Sequence, residues 1–276
     1  MALYRANPAD GIVWITGGAT GIGRAVALHL AERGFTVVVT GRPIDPPITG
    51  LQAAKPFEGR LFDHPCDVRD ADALAETVAA IEETHGPIAL ALLNAGQYLP
   101  VDGDRMTVGD FRQSYDVNVF GMINALVPVA ERMRRRGGGQ IALMGSVTAY
   151  LGLPSSAAYG STKAAINILA ESLRYDFDRD NIRLQVINPG FVRTPMTRDC
   201  AFVLPGMLSV NQAATRIVAS LGGDRFEVNF PRRLSWPLKL LRIAPQRLRM
   251  SIVRKMARPP EGDLREPAVP APTPAE

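Results

Sequence analysis

Cysteine is almost missing from this chain: two in 276 residues, Cys66 and Cys200, far apart and in no metal-ligand spacing. A disulfide scaffold is excluded and no metal site is expected. Both thiols are expected to be buried, in a protein suited to a reducing cytoplasm. No apolar run reaches the ~18 residues needed to cross a bilayer. Met1–Asp10 has no apolar stretch of the kind that marks a secretory signal. The expectation is a soluble cytoplasmic protein, with peripheral attachment at a membrane surface left open. Aromatics are sparse at 7%, but apolar residues make up 46% and charged residues 21%. That suffices for a well-buried core, and it rules out wholesale disorder and a collagen-like rod.

Acidic residues are absent from one late segment. Between Pro231 and Arg258 stand nine cations and no carboxylate (Arg232, Arg233, Lys239, Arg242, Arg247, Arg249, Arg254, Lys255 and Arg258). Removing those nine from the net charge of +4 leaves −5 on the rest of the chain. The body is mildly acidic, so a general affinity for nucleic acid is not expected.

Short apolar runs alternate with helical patterns over the first 230 residues. Strands are expected at 12–16, 35–40, 60–66, 88–93, 141–144, 182–187 and 226–230. Helices are expected at 21–33, 71–84, 111–135, 156–177 and 211–221. Strands apolar on both faces and separated by helices imply a parallel sheet covered on both sides. With right-handed crossovers this is a doubly wound, Rossmann-like α/β sheet. Four prolines (Pro43, Pro46, Pro47, Pro56) replace the crossover helix after the second strand with a loop or a shortened turn. Three regions follow: a catalytic domain over 1–230, a basic amphipathic helical extension over 231–256, and a Pro-rich disordered tail over 257–276.

The first strand runs into Thr16-Gly17-Gly18-Ala19-Thr20-Gly21-Ile22-Gly23 and then a helix. Glycine here permits a tight turn, close backbone approach to a pyrophosphate and tight helix–strand packing. The helix N-terminus offers free N–H groups and the positive end of its dipole. Tyr159 and Lys163 stand four residues apart, on one helical face. Ser146 precedes Tyr159 by thirteen residues, at the end of an expected strand. A phenol is a poor acid–base group at neutral pH. An ammonium ~5 Å away, at an effective dielectric of ~20, favours the phenolate by roughly 3 kcal/mol. Lys163 is placed to do this for Tyr159 while also bonding a cofactor ribose.

The TGxxxGxG spacing, with Ser146 and YxxxK in order behind it, resembles the short-chain dehydrogenase/reductase family over about residues 10–230. Asn118 matches that family's fourth catalytic position. Asn94-Ala95-Gly96 and Asn188-Pro189-Gly190 match two further segments. The resemblance implies hydride transfer between a nicotinamide dinucleotide and a carbonyl or alcohol carbon. It implies that Ser146 donates a hydrogen bond to the substrate oxygen and that Asn118 holds a water relaying protons to Lys163. It implies Gly17, Thr20, Gly21, Ile22 and Gly23 on the phosphates and Asp67 and Val68 beside the adenine. Asn94, Ala95 and Gly96 then line the cofactor, with Pro189, Gly190 and Val192 along the nicotinamide and Thr194 bonding its carboxamide. Dimers or tetramers built through the long helices are also implied.

At the end of the second strand, Thr40-Gly41-Arg42 carries no acid until Asp45. Arg42 offers a planar fork to a 2′-phosphate and Gly41 leaves room for it, so NADP(H) is expected over NAD(H), which stays open. The substrate pocket is expected from 97–101, 147–153 and 196–210. Its apolar members (Leu99, Leu151, Leu153, Phe202, Val203, Leu204) favour an apolar or lipid-like carbonyl. The same residues serve an alcohol dehydrogenase running oxidatively. A non-catalytic dinucleotide sensor would be expected to lose Tyr159 or Lys163, and both are present. In the extension, Leu234, Leu238 and Leu241 recur at i, i+4, i+7 and are widened by Trp236, Leu240 and Ile243. Leu248, Ile252 and Met256 form a second pattern. Such a basic amphipathic segment either lies on an anionic membrane or packs on protein.

Overall fold

The computed structural model describes residues 3–50, 58–197 and 207–256. Cys200, the pocket residues Phe202, Val203 and Leu204, and the tail over 257–276 lie outside them. Seven parallel strands form one sheet: β1 (Ile12–Thr16), β2 (Thr36–Thr40), β3 (Arg60–Asp63), β4 (Ile88–Leu93), β5 (Gly139–Met144), β6 (Ile182–Pro189) and β7 (Glu227–Phe230). Their order is β3-β2-β1-β4-β5-β6-β7. The direction of winding reverses between β1 and β4, which opens a crevice beyond the ends of those two strands.

The central strands read as unbroken apolar runs because both faces are covered. On one face α2 (Ala71–His85), α4 (Gly121–Arg135) and α5 (Ala157–Arg179) pack a core that includes Trp14, Leu93, Ile141 and Ile166. On the other, α1 (Gly21–Ala31) and α6 (Val210–Leu221) cover Val13, Ile15, Val39 and Leu92. Buried Trp14 keeps its indole N–H satisfied on Thr40 Oγ1 at 2.9 Å. The loop after β2 makes a turn at Pro43–Ile44, and Asp63 carboxylate oxygens accept from the N–H groups of Ile48 and Thr49.

The helix expected at 111–135 differs in two ways. It begins earlier, as α3 (Val108–Tyr115), where Thr107 and Asp110 form a reciprocal capping box. A π-helical turn, Asp116–Phe120, then separates α3 from α4. The buried positions leading through this turn are polar, Ser114 and Asn118, so apolar periodicity does not mark it. The third strand is four residues, Arg60–Asp63, rather than seven, although His64 N and Cys66 N still donate to Val39 O and Gly41 O at 2.8 and 2.9 Å.

The extension forms α7 (Arg232–Ile243) and α8 (Gln246–Met256). Leu234, Leu238 and Leu241 face inward, in a third apolar cluster with Val147, Tyr150, Leu151 and Leu153. On α8 Val253 is buried, while Leu248 of the expected second pattern is 54% exposed.

Candidate active site

The glycine turn is held by steric necessity. Gly17 has φ +63°, and a Cβ on it would lie 2.8 Å from Ala95 Cα. A Cβ on Gly23 would lie 2.3 Å from the Gly17 carbonyl oxygen. Only bare backbone lets α1 approach the turn this closely. Thr20 is the N-cap of α1, yet its side chain makes no capping bond, which leaves the first-turn N–H groups without a side-chain cap. Asn94 fastens the end of β4 to this turn: its Nδ2 donates to Thr16 O at 3.2 Å and Gly17 O at 3.0 Å. Thr16 Oγ1 accepts from the N–H groups of Asn94 and Ala95 at 3.0 and 3.1 Å.

One crevice collects most of the expected cofactor residues. Gly17, Thr20, Gly21, Ile22, Gly41, Arg42, Asp67, Val68, Asn94, Ala95, Gly96 and Thr194 line it. Gly23 sits behind the turn. Arg42 forks onto Asp45, with Nη2 3.0 Å from Oδ1, while its own N–H donates to Oδ2 at 2.8 Å. Arg69 grips Asp67 likewise at 2.6 Å, and these bonds hold the Asp67 carboxyl below the usual carboxylate range. Arg69, the residue after the expected Asp67-Val68 pair, joins them in lining the crevice.

A second cavity continues from the first through Ile22, Asn94, Gly96, Thr194 and Met196. Ser146, Tyr159 and Lys163 all line it, together with Pro189, Gly190 and Val192. Ser146 lies just past β5. Its N–H donates to Asn188 Oδ1 at 2.8 Å, and its hydroxyl oxygen accepts from Thr148 N. Tyr159 and Lys163 stand one turn apart near the start of α5, with Lys163 Nζ 5.7 Å from the Tyr159 ring centre. Tyr98 meets the Tyr159 ring edge-on, centroids 5.3 Å apart. Lys163 is 2% exposed and donates to Met144 O at 2.8 Å. Burial lowers its pKa to about 8.

Asn118, in the π turn, spends its side chain on structure. Its Oδ1 accepts from Gln97 N at 2.8 Å, and its Nδ2 donates to Gln97 O at 2.9 Å and Thr162 Oγ1 at 3.1 Å. A relay water would therefore meet the backbone of the turn rather than a free amide. Asn118 Oδ1 and Lys163 Nζ lie 3.2 and 3.6 Å from where a Cβ on Gly96 would be, so the two flank Gly96.

The substrate side of the cavity is mostly apolar, with Tyr98, Leu153, Pro154, Phe191 and Met196 in its wall. Two expected members are elsewhere. Leu151 is buried in the cluster beneath α7, and Leu99 is not among the described lining residues. Thr148, within the expected 147–153 segment, lines the cavity, and its Oγ1 is buried with no hydrogen-bond partner among the described residues.

Behind Ser146 lies a polar network that sequence reading did not find. Glu227 of β7 accepts from Tyr150 Oη, from Lys239 Nζ of α7, and from Asn188 Nδ2 at 3.1 Å. Asn188 in turn exchanges hydrogen bonds with Asn167 at 2.8 and 3.2 Å. Its members are scattered over ninety residues, and each type is common as a surface residue, so no local signal marks them.

A glycine-lined crevice at the switch point of a parallel sheet, open to a cavity holding a Tyr–Lys pair, belongs to oxidoreductases that interconvert alcohols and carbonyls. This enzyme is of that class. A sequence profile described as short chain dehydrogenase matches residues 11–201. An uncharacterized oxidoreductase of Myxococcus xanthus is 30% identical over 243 residues, 88% of this chain and 96% of that one. The 3-oxoacyl-[acyl-carrier-protein] reductase MabA of Mycobacterium tuberculosis is 33% identical over 186 residues, 67% of this chain and 71% of that one. A short chain dehydrogenase from Burkholderia cenocepacia, solved in complex with NADP, shares the fold with TM-score 0.75 at 22% identity. The match covers 94% of this chain and 100% of that one. The chain belongs to the short chain dehydrogenase family.

Proposed function

We propose that the enzyme is an NADPH-dependent reductase of apolar ketones or aldehydes. The observation that carries this reading is the meeting of Ser146, Tyr159 and Lys163 in one largely apolar cavity that runs into the glycine crevice. The crevice fits a dinucleotide. A Cβ at Gly17 or Gly23 would fill the space where backbone must come close, and the Thr20 side chain does not cap the first turn of α1. Gly17, Thr20, Gly21 and Ile22 would hold the phosphates, Asp67 and Val68 the adenine end, and Asn94, Ala95 and Gly96 the middle. Pro189, Gly190, Val192 and Thr194 would flank the nicotinamide. When bound, the dinucleotide supplies the hydride.

The remaining chemistry is the chain's own. Ser146 donates a hydrogen bond to the carbonyl oxygen and orients it. Tyr159 gives its phenolic proton to that oxygen as negative charge develops there. Lys163, charged and desolvated, favours the resulting phenolate, because its field is barely screened at 2% exposure. Asn118 fixes the Gly96–Gln97 backbone beside that ammonium. Arg42 favours a 2′-phosphate, on exchanging its fork from Asp45 to the phosphate oxygens. MabA, named for a 3-oxoacyl substrate, supports a ketone on an apolar chain, and the cavity wall fits one. Part of the same proposal is a homo-oligomer through α4 and α5. Phe120, at the end of the π turn, with Val127 of α4, and Ile168 with Tyr175 of α5, form two exposed pairs at seven-residue spacing. Light scattering is expected to give a mass at least twice 29.8 kDa.

Comparing kcat/KM for NADPH and NADH tests the cofactor. The expected preference for NADPH is about tenfold or more, and Arg42→Asp should reverse it. A native preference for NADH would refute this assignment.

A further inference from the structure

Helix α7 has two apolar faces, and the body of the protein covers one of them. Leu234, Leu238 and Leu241 turn inward. On the opposite side, Trp236, Leu240 and Ile243 stand 60%, 59% and 81% exposed. Their spacing of four and three residues keeps them in a single stripe. Exposed apolar side chains scattered singly need no explanation, but a Trp-Leu-Ile stripe along one helix does. Leu248 and Met250 of α8 are exposed as well.

The surroundings of the stripe are uniformly positive. Arg232, Arg233 and Arg242 on α7 are exposed, as are Arg247, Arg254 and Lys255 on α8. Among the described residues Lys239 is paired, with Glu227, while no ion pair holds these six. No carboxylate exists anywhere between Pro231 and Arg258 to neutralise them.

We propose that the outer face of α7 and α8 docks on an anionic lipid bilayer. Trp236, Leu240 and Ile243 enter the headgroup region, and the arginines meet lipid phosphates. Charge decides against a second copy of the chain. A two-fold interface brings the same patch from both subunits together, and here that would set arginine against arginine. Nucleic acid would meet the cations but would leave the apolar stripe in water. Docking does not depend on the proposed reaction. If that reaction holds, there is a consequence for access. The inner face of α7 packs on Leu153, which lines the cavity. The bilayer surface would then lie about one helix diameter, ~10 Å, from an apolar substrate's binding site.

The experiment is flotation of the full chain with two kinds of vesicle, phosphatidylcholine alone and phosphatidylcholine with phosphatidylglycerol. Binding is expected to the anionic vesicles and to weaken with added salt. Replacing Arg232, Arg233 and Arg242 together by Gln should weaken it about a hundredfold. Replacing Trp236, Leu240 and Ile243 together by Ser should abolish it. Thermal melts and turnover of a water-soluble ketone should match the parent in both variants, which separates lost docking from lost folding. The proposal is overturned if the parent ignores anionic vesicles or if the serine variant binds them equally well. It is also overturned if light scattering shows a dimer that the serine variant splits.

Discussion

Lys163 is buried with one hydrogen bond to a backbone oxygen and a pKa lowered to about 8. Two consequences follow from that placement. In the proposed reaction the ammonium must be charged, so reductive kcat should fall as pH rises through about 8, well below the ordinary lysine range. The second concerns stability. The unfolded chain keeps this proton up to about pH 10.4, whereas the folded chain gives it up near 8. Between those values the unfolded state binds more protons, so stability attributable to Lys163 rises with pH across the window. Below it, the folded state bears the full cost of a desolvated charge. Lys163→Met should therefore abolish turnover and yet raise stability at pH 7 by about 1–3 kcal/mol. That advantage should vanish by about pH 10, as measured by denaturant melts of both proteins. An equal or lower stability of the variant at pH 7 would contradict the burial argument. Tyr159, Lys163 and the glycine turn were legible in the sequence because each needs a short, fixed spacing. Tyr98 and Thr148 were legible as members of the expected pocket segments 97–101 and 147–153, but not the contacts they make, since those are set by chain segments far away. Arg69, next to Asp67-Val68, carries no spacing of its own.

At the scale of elements, the extension is tied to the substrate side of the sheet by a carboxylate. Glu227 sits on the edge strand, half-buried, and joins α7 through Lys239 to the Ser146 loop through Tyr150 and Asn188. Burial raises the Glu227 pKa, but the bonds from Lys239 and Tyr150 outweigh it and leave the carboxyl below its usual range. Burial, reinforced by Glu227, pushes the Tyr150 phenol far above its own. Because the folded pKa of Glu227 is depressed, its stabilising contribution is present above the ordinary glutamate range and is lost as pH falls below it. Glu227→Gln should flatten the acid limb of stability and lower it by about 1–3 kcal/mol at neutral pH. It should also reduce kcat more than it raises KM, because Ser146 loses a support rather than the substrate a contact. An unchanged acid limb would count against the network. This coupling was invisible in sequence. At about 100° per residue Trp236, Leu240 and Ile243 lie on the side of α7 opposite Leu234, Leu238 and Leu241, so they do not widen the leucine stripe as expected but form an exposed face of their own. The π turn was hidden because the buried positions leading through it, Ser114 and Asn118, are polar.

Across the whole molecule, charge and shape are divided between two ends of one chain. The sheet presents its switch point, the glycine crevice and the apolar cavity on the side where β1, β4, β5 and β6 end. The cations gather beyond β7, while the remainder carries the net negative charge. The parallel sheet and its two covered faces were readable because buried parallel strands need continuous apolar runs. The boundaries of the substrate cavity were less so, because Leu151 and Leu153 pack in one apolar cluster, yet of the two Leu153 alone is in the cavity wall. The account as a whole stands on Tyr159 as the proton donor to a carbonyl oxygen. Its most direct test is single-turnover oxidation of NADPH by a medium-chain ketone, with the parent and with Tyr159→Phe, alongside NADPH binding by fluorescence. The parent should turn over, and the variant should lose at least about a hundredfold in rate while binding NADPH as tightly. A variant that reduces the ketone at the parental rate would contradict the account.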